Sequence, residues 1–276
     1  MEEAIAFANA DPDTNTITFD PTVFTGGAAN TIRVSQTLNI TTNVIIDGDI
    51  DGDGTADIVL SGDRAGDDVT TVTRHGVTIT DVFNSPEFTR LSATDNRLKD
   101  NVQILNVEQD ADVTLNGLVL TGGADLDEFN GVSFGTGGAG YVSGTLTVTN
   151  SSISGNTANN SGGAFYVKGG LYISDSTVSD NLAPGGGAIQ VEGGTLVTER
   201  VTFADNVADS ESGTGTVRGG AINNDGNTPL INTTLVANSA RGSFGEGGAV
   251  YHRGPSTSFD SQSLDLLNVT ITGNAS

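Results

Sequence analysis

The sequence predicts an all-β fold: a right-handed parallel β-helix of about 25 residues per rung, closed at its N-terminal end by a short helix. Three observations carry this. Gly-Gly-Ala recurs at Gly137-Gly138-Ala139, Gly162-Gly163-Ala164, Gly186-Gly187-Ala188, Gly219-Gly220-Ala221 and Gly247-Gly248-Ala249, its alanines 25, 24, 33 and 28 residues apart. Between these markers an asparagine returns at Asn156, Asn181, Asn206, Asn238 and Asn274, the first three spaced by 25. Apolar residues alternate with period two in strings too short for helices, and Leu146-Thr147-Val148, Leu171-Tyr172-Ile173 and Leu196-Val197-Thr198 share one phase. A fixed period in the twenties built from short strands is a solenoid signature, with three strands and three turns per rung expected.

Taken in order, Glu2 to Ala10 patterns as a short amphipathic helix with Ile5 and Ala8 on one face, ended by Asp11-Pro12. Residues 1–12 thus form a cap, which a terminal rung needs to cover its open strand edges and apolar interior. Residues 13–115 give less regular rungs, with strand-like strings such as Thr16-Ile17-Thr18-Phe19, Leu38-Asn39-Ile40, Val44-Ile45-Ile46, Ile58-Val59-Leu60 and Val113-Thr114-Leu115. Within them, residues 61–101 break the rhythm and read as an excursion packed on one face. Residues 116–276 hold the regular rungs. Equivalent residues of successive rungs stack at about 4.8 Å, so Asn156, Asn181, Asn206 and Asn238 are expected to form an inward structural ladder of paired amides. The chain stops at Asn274-Ala275-Ser276, directly after a repeat marker, and Met1-Glu2-Glu3 lacks the basic and apolar regions of a secretory signal. The single domain therefore reads as a piece of a longer chain.

Composition narrows the function classes. The 276 residues include 38 glycines, no cysteine, no tryptophan and one methionine, and carry a net charge of −23. Disulfides, thiolate metal sites and thiol nucleophiles are excluded by the missing cysteine. The charge disfavours nucleic acid and anionic membrane surfaces as partners, and no apolar window is long enough to span a bilayer. Of the 34 acidic residues 25 are aspartate, a turn and hard-cation residue rather than a helix former.

The sharpest local motif is Asp47-Gly48-Asp49-Ile50-Asp51-Gly52-Asp53-Gly54-Thr55-Ala56-Asp57. Alternate aspartates on a tight loop match the first half of an EF-hand-type calcium loop: Asp49, Asp51 and Asp53 at positions 1, 3 and 5, the Thr55 carbonyl at 7 and Asp57 at 9. Position 12 is Leu60, so the bidentate glutamate is missing and Asp47 or Asp63 is left to replace it; a register starting at Asp47, with Gly52 at the turn, stays open. A structural calcium pinning the loop between two rungs is expected, against the plainer alternative of an acidic solvated turn.

Two family resemblances follow. Glu3-Ala4-Ile5-Ala6-Phe7-Ala8-Asn9-Ala10 with Asp13 to Phe19 and Val44-Ile45-Ile46-Asp47-Gly48 resembles the start of bacterial surface proteins of the CSLREA type, beginning at Glu3 without the Cys-Ser-Leu-Arg portion. The Gly-Gly-Ala and asparagine rungs resemble the repeats of polymorphic outer-membrane proteins and autotransporter-like adhesins, with Gly187-Ala188-Ile189 and Phe203-Ala204-Asp205-Asn206 closest to their Gly-Gly-Ala-Ile and Phe-x-x-Asn motifs. These resemblances imply a right-handed β-helix on a cell surface or in the extracellular space, and imply no particular activity.

Rung alignment places Tyr141, Tyr166, Gln190, Asn223 and Tyr251 in one column. Tyrosines and amides stack on and hydrogen-bond sugars, which makes this column a candidate ligand face; the same residues also pack side by side as plain structure. The adjacent column, Lys168, Glu192, Asp225 and Arg253, reads as a surface charge ladder, and His252 falls at an inward position shared with Val142, Val167 and Val191. A threonine array for ice binding stops after Thr145, Thr147 and Thr149. The reading favoured is a non-catalytic surface module, an adhesin or stalk, presenting a repetitive face to glycans or other surfaces. The alternative is a polysaccharide lyase or glycosidase with its site in residues 61–101, where Asp67-Asp68 and Arg74-His75 bring acids and a base together, or on the Tyr141–Tyr251 face.

Overall fold

The computed structural model describes residues 1–25, 30–66, 71–74, 77–80, 100–129, 132–209, 216–254 and 262–276. It is a parallel β-helix. In the rung from 162 to 185 the chain runs through Phe165–Val167, Gly170–Ser174, Thr177–Ser179 and Leu182–Ala183. The first two segments stack in a 13-stranded sheet, the third in an eight-stranded sheet and the fourth in a five-stranded sheet. This rung thus has four strand segments where three were expected, whereas the next has the expected three, Ile189–Glu199, Thr202–Ala204 and Val207–Asp209. The extra one arises because the first side bends in its middle. In Ile189–Glu199 that bend is only a register shift between Glu192 and Thr195, and one long strand serves both halves.

Stacking in register makes columns of like residues. Leu146, Leu171 and Leu196 pair in sequence, as do Leu120, Ile153, Val178, Phe203 and Leu235. All are fully buried, and each contributes about 1.5–3 kcal/mol by leaving water. The core is therefore a thin apolar cylinder, which is how a chain of only 36% hydrophobic residues folds.

The corners explain the repeat markers. Each regular rung turns in left-handed backbone just before its asparagine, at Gly155, Asp180, Asp205, Ala237 and Gly273. A second left-handed corner falls at Asn150, Asp175, Arg200, Asn232 and Asn268, and a third at the first glycine of each Gly-Gly-Ala. Glycine, aspartate and asparagine tolerate that conformation. At the second glycine the reason is contact: a Cβ on Gly163, Gly187 or Gly220 would overlap the carbonyl oxygen of the next rung's glycine. The alanine that follows faces the core.

In the first half, insertions interrupt the rungs without changing them. The chain leaves the stack after Gly62 and rejoins at Val102, whose amide donates to the Gly62 carbonyl at 3.0 Å. Inside this excursion Thr71–Arg74 and Val77–Thr80 pair antiparallel, unlike the rungs. A second insertion, 48–57, lengthens the corner between Val44–Asp47 and Ile58–Ser61.

The helix Glu2–Asn9 covers the first rungs with buried Ile5 and Ala8. Asn9 continues the strand pattern: its Nδ2 donates to the Asn39 carbonyl at 2.7 Å and its Oδ1 accepts the Thr41 amide at 3.0 Å. Glu2 Oε1 accepts the amide and hydroxyl of Ser35 at 2.6 and 2.9 Å. Burial pushes the Glu2 carboxyl up, but the hydrogen bonds from Ser35 and from its own amide outweigh this and hold it at about 2, against 4.5 for the free group.

A carboxyl lowered in this way stabilises the cap above about pH 4.5, and that contribution is lost as the pH falls toward 2. The Glu2→Gln variant should therefore show a shallower loss of cap protection across this window, read by hydrogen exchange at Ile5 to Asn9. Identical acid profiles for variant and parent would contradict the cap contact.

Candidate functional site

The asparagine column is the polar centre of the molecule. Asn181 Oδ1 accepts both the backbone amide and the Nδ2 of Asn156, at 3.1 and 3.0 Å. The same pair of bonds joins Asn181 to Asn206, Asn206 to Asn238 and Asn238 to Asn274, at 2.8–3.2 Å. Each Nδ2 also reaches back to a carbonyl one rung earlier, from Asn181 to Ile153 and from Asn206 to Val178. One side chain thereby ties three successive rungs. The ladder contains Asn274 in addition to the four asparagines assigned to it from the sequence, and at its other end Asn156 Oδ1 accepts the amide of Gly123. A shorter hydroxyl column, Ser151 and Ser176, runs beside it, the Ser151 amide donating to Ser176 Oγ at 3.0 Å.

Strand register brings Tyr141, Tyr166, Gln190, Asn223 and Tyr251 side by side, the tyrosines half-buried and Gln190 and Asn223 buried. Tyr141 and Tyr166 stack with centroids 5.3 Å apart and planes 13° from parallel. Asn223 Nδ2 donates to Gln190 Oε1 at 2.6 Å. The Arg218 guanidinium lies 5.0 Å from the Tyr251 ring centroid while its Nε donates to Glu246 at 2.8 Å. Register extends the column to Asn106 and Asn39, which are joined by a 3.1 Å hydrogen bond. The sequence hid these two because the long excursion separates them from the regular period.

Beside this column is an open cleft of about 580 Å³ lined by Asn160, Tyr166, Gln190, Glu192, Asp225 and Arg253 among others. Arg253 Nε donates to Asp225 Oδ1 at 3.0 Å. Of the expected charge ladder this is the one ion pair among the described residues; Glu192 is in register with Asp225, and Lys168 makes no such bond. His252 turns toward Asn224, with its Nδ1 3.1 Å from Asn224 Nδ2. Such a cleft offers a ring face for stacking and several amide and carboxylate groups for hydroxyls. Asp67, Asp68 and His75 lie outside the described residues, as does the side chain of Arg74.

In the acidic loop, Asp49, Asp51 and Asp57 bring a carboxylate oxygen each within 4.8 Å of one another. Asp49 shapes the loop, accepting the amides of Gly52, Asp53 and Gly54 at 2.8, 3.1 and 3.1 Å, and Asp57 accepts the amide of Ile50 at 2.8 Å. The other predicted ligands are placed differently. Asp53 turns to Thr55, accepting its amide and hydroxyl at 2.8 and 2.6 Å, and these bonds lower its pKa. Asp47 Oδ1 accepts Asn116 Nδ2 at 2.8 Å, linking the loop base to the next rung. Asp63 is buried in a separate turn, where it accepts the Gly66 amide at 2.7 Å.

Fold and site together define a parallel β-helix repeat protein with an aromatic and amide face. Residues 150–168 match the model of the Chlamydia polymorphic membrane protein (Chlamydia_PMP) repeat. That segment holds one set of rung markers: the left-handed corner at Asn150, ladder residue Asn156, Gly162-Gly163-Ala164 and, on the outer face, Tyr166. The match does not reach residues 3–48, on which the CSLREA-type resemblance rests. No curated protein and no solved structure matches the chain. Among the described residues no helix is long and apolar enough to cross a membrane.

Proposed function

We propose that this protein is an extracellular or cell-surface module, an adhesin or stalk, which presents its tyrosine and amide column to glycans. The stacked Tyr141–Tyr166 pair beside the cleft carries this reading. The stacked, half-buried rings are held in place at little entropic cost, next to cleft amides and carboxylates that match sugar hydroxyls. The match of residues 150–168 to a membrane-protein repeat supports the surface location. Calcium belongs to the same reading. Three carboxylates held this close repel by about 1 kcal/mol per pair even in water, and a hard cation removes that cost with the oxygen ligands it prefers. Asp49, Asp51 and Asp57 would hold it, and the ion would brace the corner against the rung that carries Asn116.

Two experiments test the reading. Against a panel of neutral and acidic glycans, Tyr166→Ala should weaken binding about tenfold or more, the scale of one lost aromatic contact, while the lost stack on Tyr141 costs about 0.5–1.5 kcal/mol and leaves the protein folded at the binding temperature. Binding to no glycan, or binding indifferent to Tyr166→Ala, would refute the glycan face. For the metal, chelator should lower the melting temperature, since calcium at 100 times its dissociation constant stabilises by about 2.7 kcal/mol. Asp49→Ala should abolish the response, whereas a parent that melts alike with and without chelator would refute the site.

A further inference from the structure

The first rungs hold a second recess, of about 410 Å³, lined by Arg33, Val34, Ser35, Arg64, Ala65 and Asp100. Two arginines in one recess stand out in a chain with 11 basic residues against 34 acidic ones. Elsewhere among the described residues the arginines are committed: Arg200 to Asp175, Arg218 to Glu246, Arg241 to Ser239 and Arg253 to Asp225. Among the described residues, the side chains of Arg33 and Arg64 have no ion-pair or hydrogen-bond partner.

Backbone geometry brings them together. Arg33 ends the strand Thr31–Arg33, whose partner in register is Ser61, and Arg64 stands three residues beyond Ser61 in the following turn. That turn is tied twice: Asp63 Oδ1 accepts the Gly66 amide at 2.7 Å, and Asp100 Oδ2 accepts the Ala65 amide at 2.8 Å. Gly66 has φ +73°, and a Cβ there would come within 2.7 Å of Arg33 Nε and Nη2, so the guanidinium lies directly on the turn backbone. The other donors of the recess are already used, because Ser35 gives its amide and hydroxyl to Glu2. The donors left open are two guanidinium groups.

We propose that this recess binds a compact oxyanion: a sulfate, a phosphate or their monoesters on a sugar. Paired guanidinium groups match such oxygens by forked, charge-assisted hydrogen bonds. Asp100, Glu2 and Asp63 flank the site and the chain carries −23 overall, so an extended polyanion is repelled. For a compact anion the two guanidinium groups act by direct contact, while the three flanking carboxylates are each already engaged by a backbone amide.

The test is calorimetric titration of the full chain with inorganic sulfate and inorganic phosphate in low-chloride buffer, beside a sulfated monosaccharide, a phosphorylated monosaccharide and a long sulfated polysaccharide. One-to-one binding of inorganic sulfate or phosphate is expected, weakened at least tenfold by Arg64→Gln and abolished in the Arg33→Ala/Arg64→Gln double variant. Arg200→Ala should leave it unchanged. Arg64 is exposed at a turn, so its variant stays informative even if Arg33→Ala lowers the melting temperature. Tighter binding of a monoester than of the inorganic anion identifies a glycan-borne group as the source; the reverse identifies the free ion. Absence of binding to all compact anions, binding that survives the double variant, or preference for the polysaccharide would overturn the proposal.

Discussion

The structure depends on one repeated interaction, the side-chain amide of an inward asparagine bound to the same amide on the next rung. A parallel β-helix must turn its backbone three times per rung, and every turn points peptide groups at an interior that has no water for them. Unpaired buried groups of this kind cost about 1–3 kcal/mol each. The asparagine at one corner accepts from the rung before it and donates to the rung after it, while reaching back to a carbonyl one rung away. This arrangement has consequences for its neighbours. The residue before the asparagine must be left-handed, which selects Gly155, Asp180, Asp205 and Gly273 and leaves Ala237 as the costly exception. Rungs must also close to the same height, so the Gly-Gly-Ala corner has room for no side chain at its second glycine.

Such a frame tolerates additions where the chain turns or bends: at corners and, between Val250–His252 and Ser263–Leu267, at the bend within the first side. The acidic loop, the long excursion after Gly62 and the small hairpin of Glu128–Phe129 with Val132–Ser133 all leave the stack at a corner and return to it. The two candidate binding features outside the regular rungs share this origin. The carboxylates of Asp49, Asp51 and Asp57 sit on a lengthened corner, and Arg64 sits where the chain departs on its excursion. The negative charge lies mainly on turns, outside the apolar cylinder, and where it meets a cation the pair is on the surface, as in Arg200 with Asp175 at 2.6 Å. Exposed pairs of this kind contribute about 0–1 kcal/mol, so they ornament the frame rather than hold it.

The fold class was legible because the markers are geometric requirements. A left-handed corner admits few residue types and a buried amide ladder needs the same residue every rung, so both imprint a period of 25 on the chain. Tyr141, Tyr166, Gln190, Asn223 and Tyr251 could be aligned from that period alone. Asn39 and Asn106 belong to the same column and were missed, since the excursion shifts them by 67 residues relative to each other. The split of one side into two short strands in some rungs was not foreseen, because a bend inside a sheet leaves no turn residues beyond a glycine such as Gly169. In the acidic loop the spacing marked Asp49, Asp51 and Asp57, which the structure brings together, along with Asp53, which turns to Thr55. Whether Asp53 faces a cation or Thr55 depends on a local hydroxyl bond that no spacing rule reveals. Arg33 and Arg64 are 31 residues apart and meet only through the pairing of Arg33 with Ser61.

The central claim is that the asparagine ladder acts as a coupled unit. A double-mutant cycle of Asn181→Ala and Asn206→Ala, measured by urea denaturation, addresses it directly. If the ladder carries the stack, each single variant loses several kcal/mol and the pair shows a coupling of about 1–3 kcal/mol, as expected of residues in one hydrogen-bond network. Losses that add within about 0.3 kcal/mol would show the asparagines acting independently, and would contradict the account.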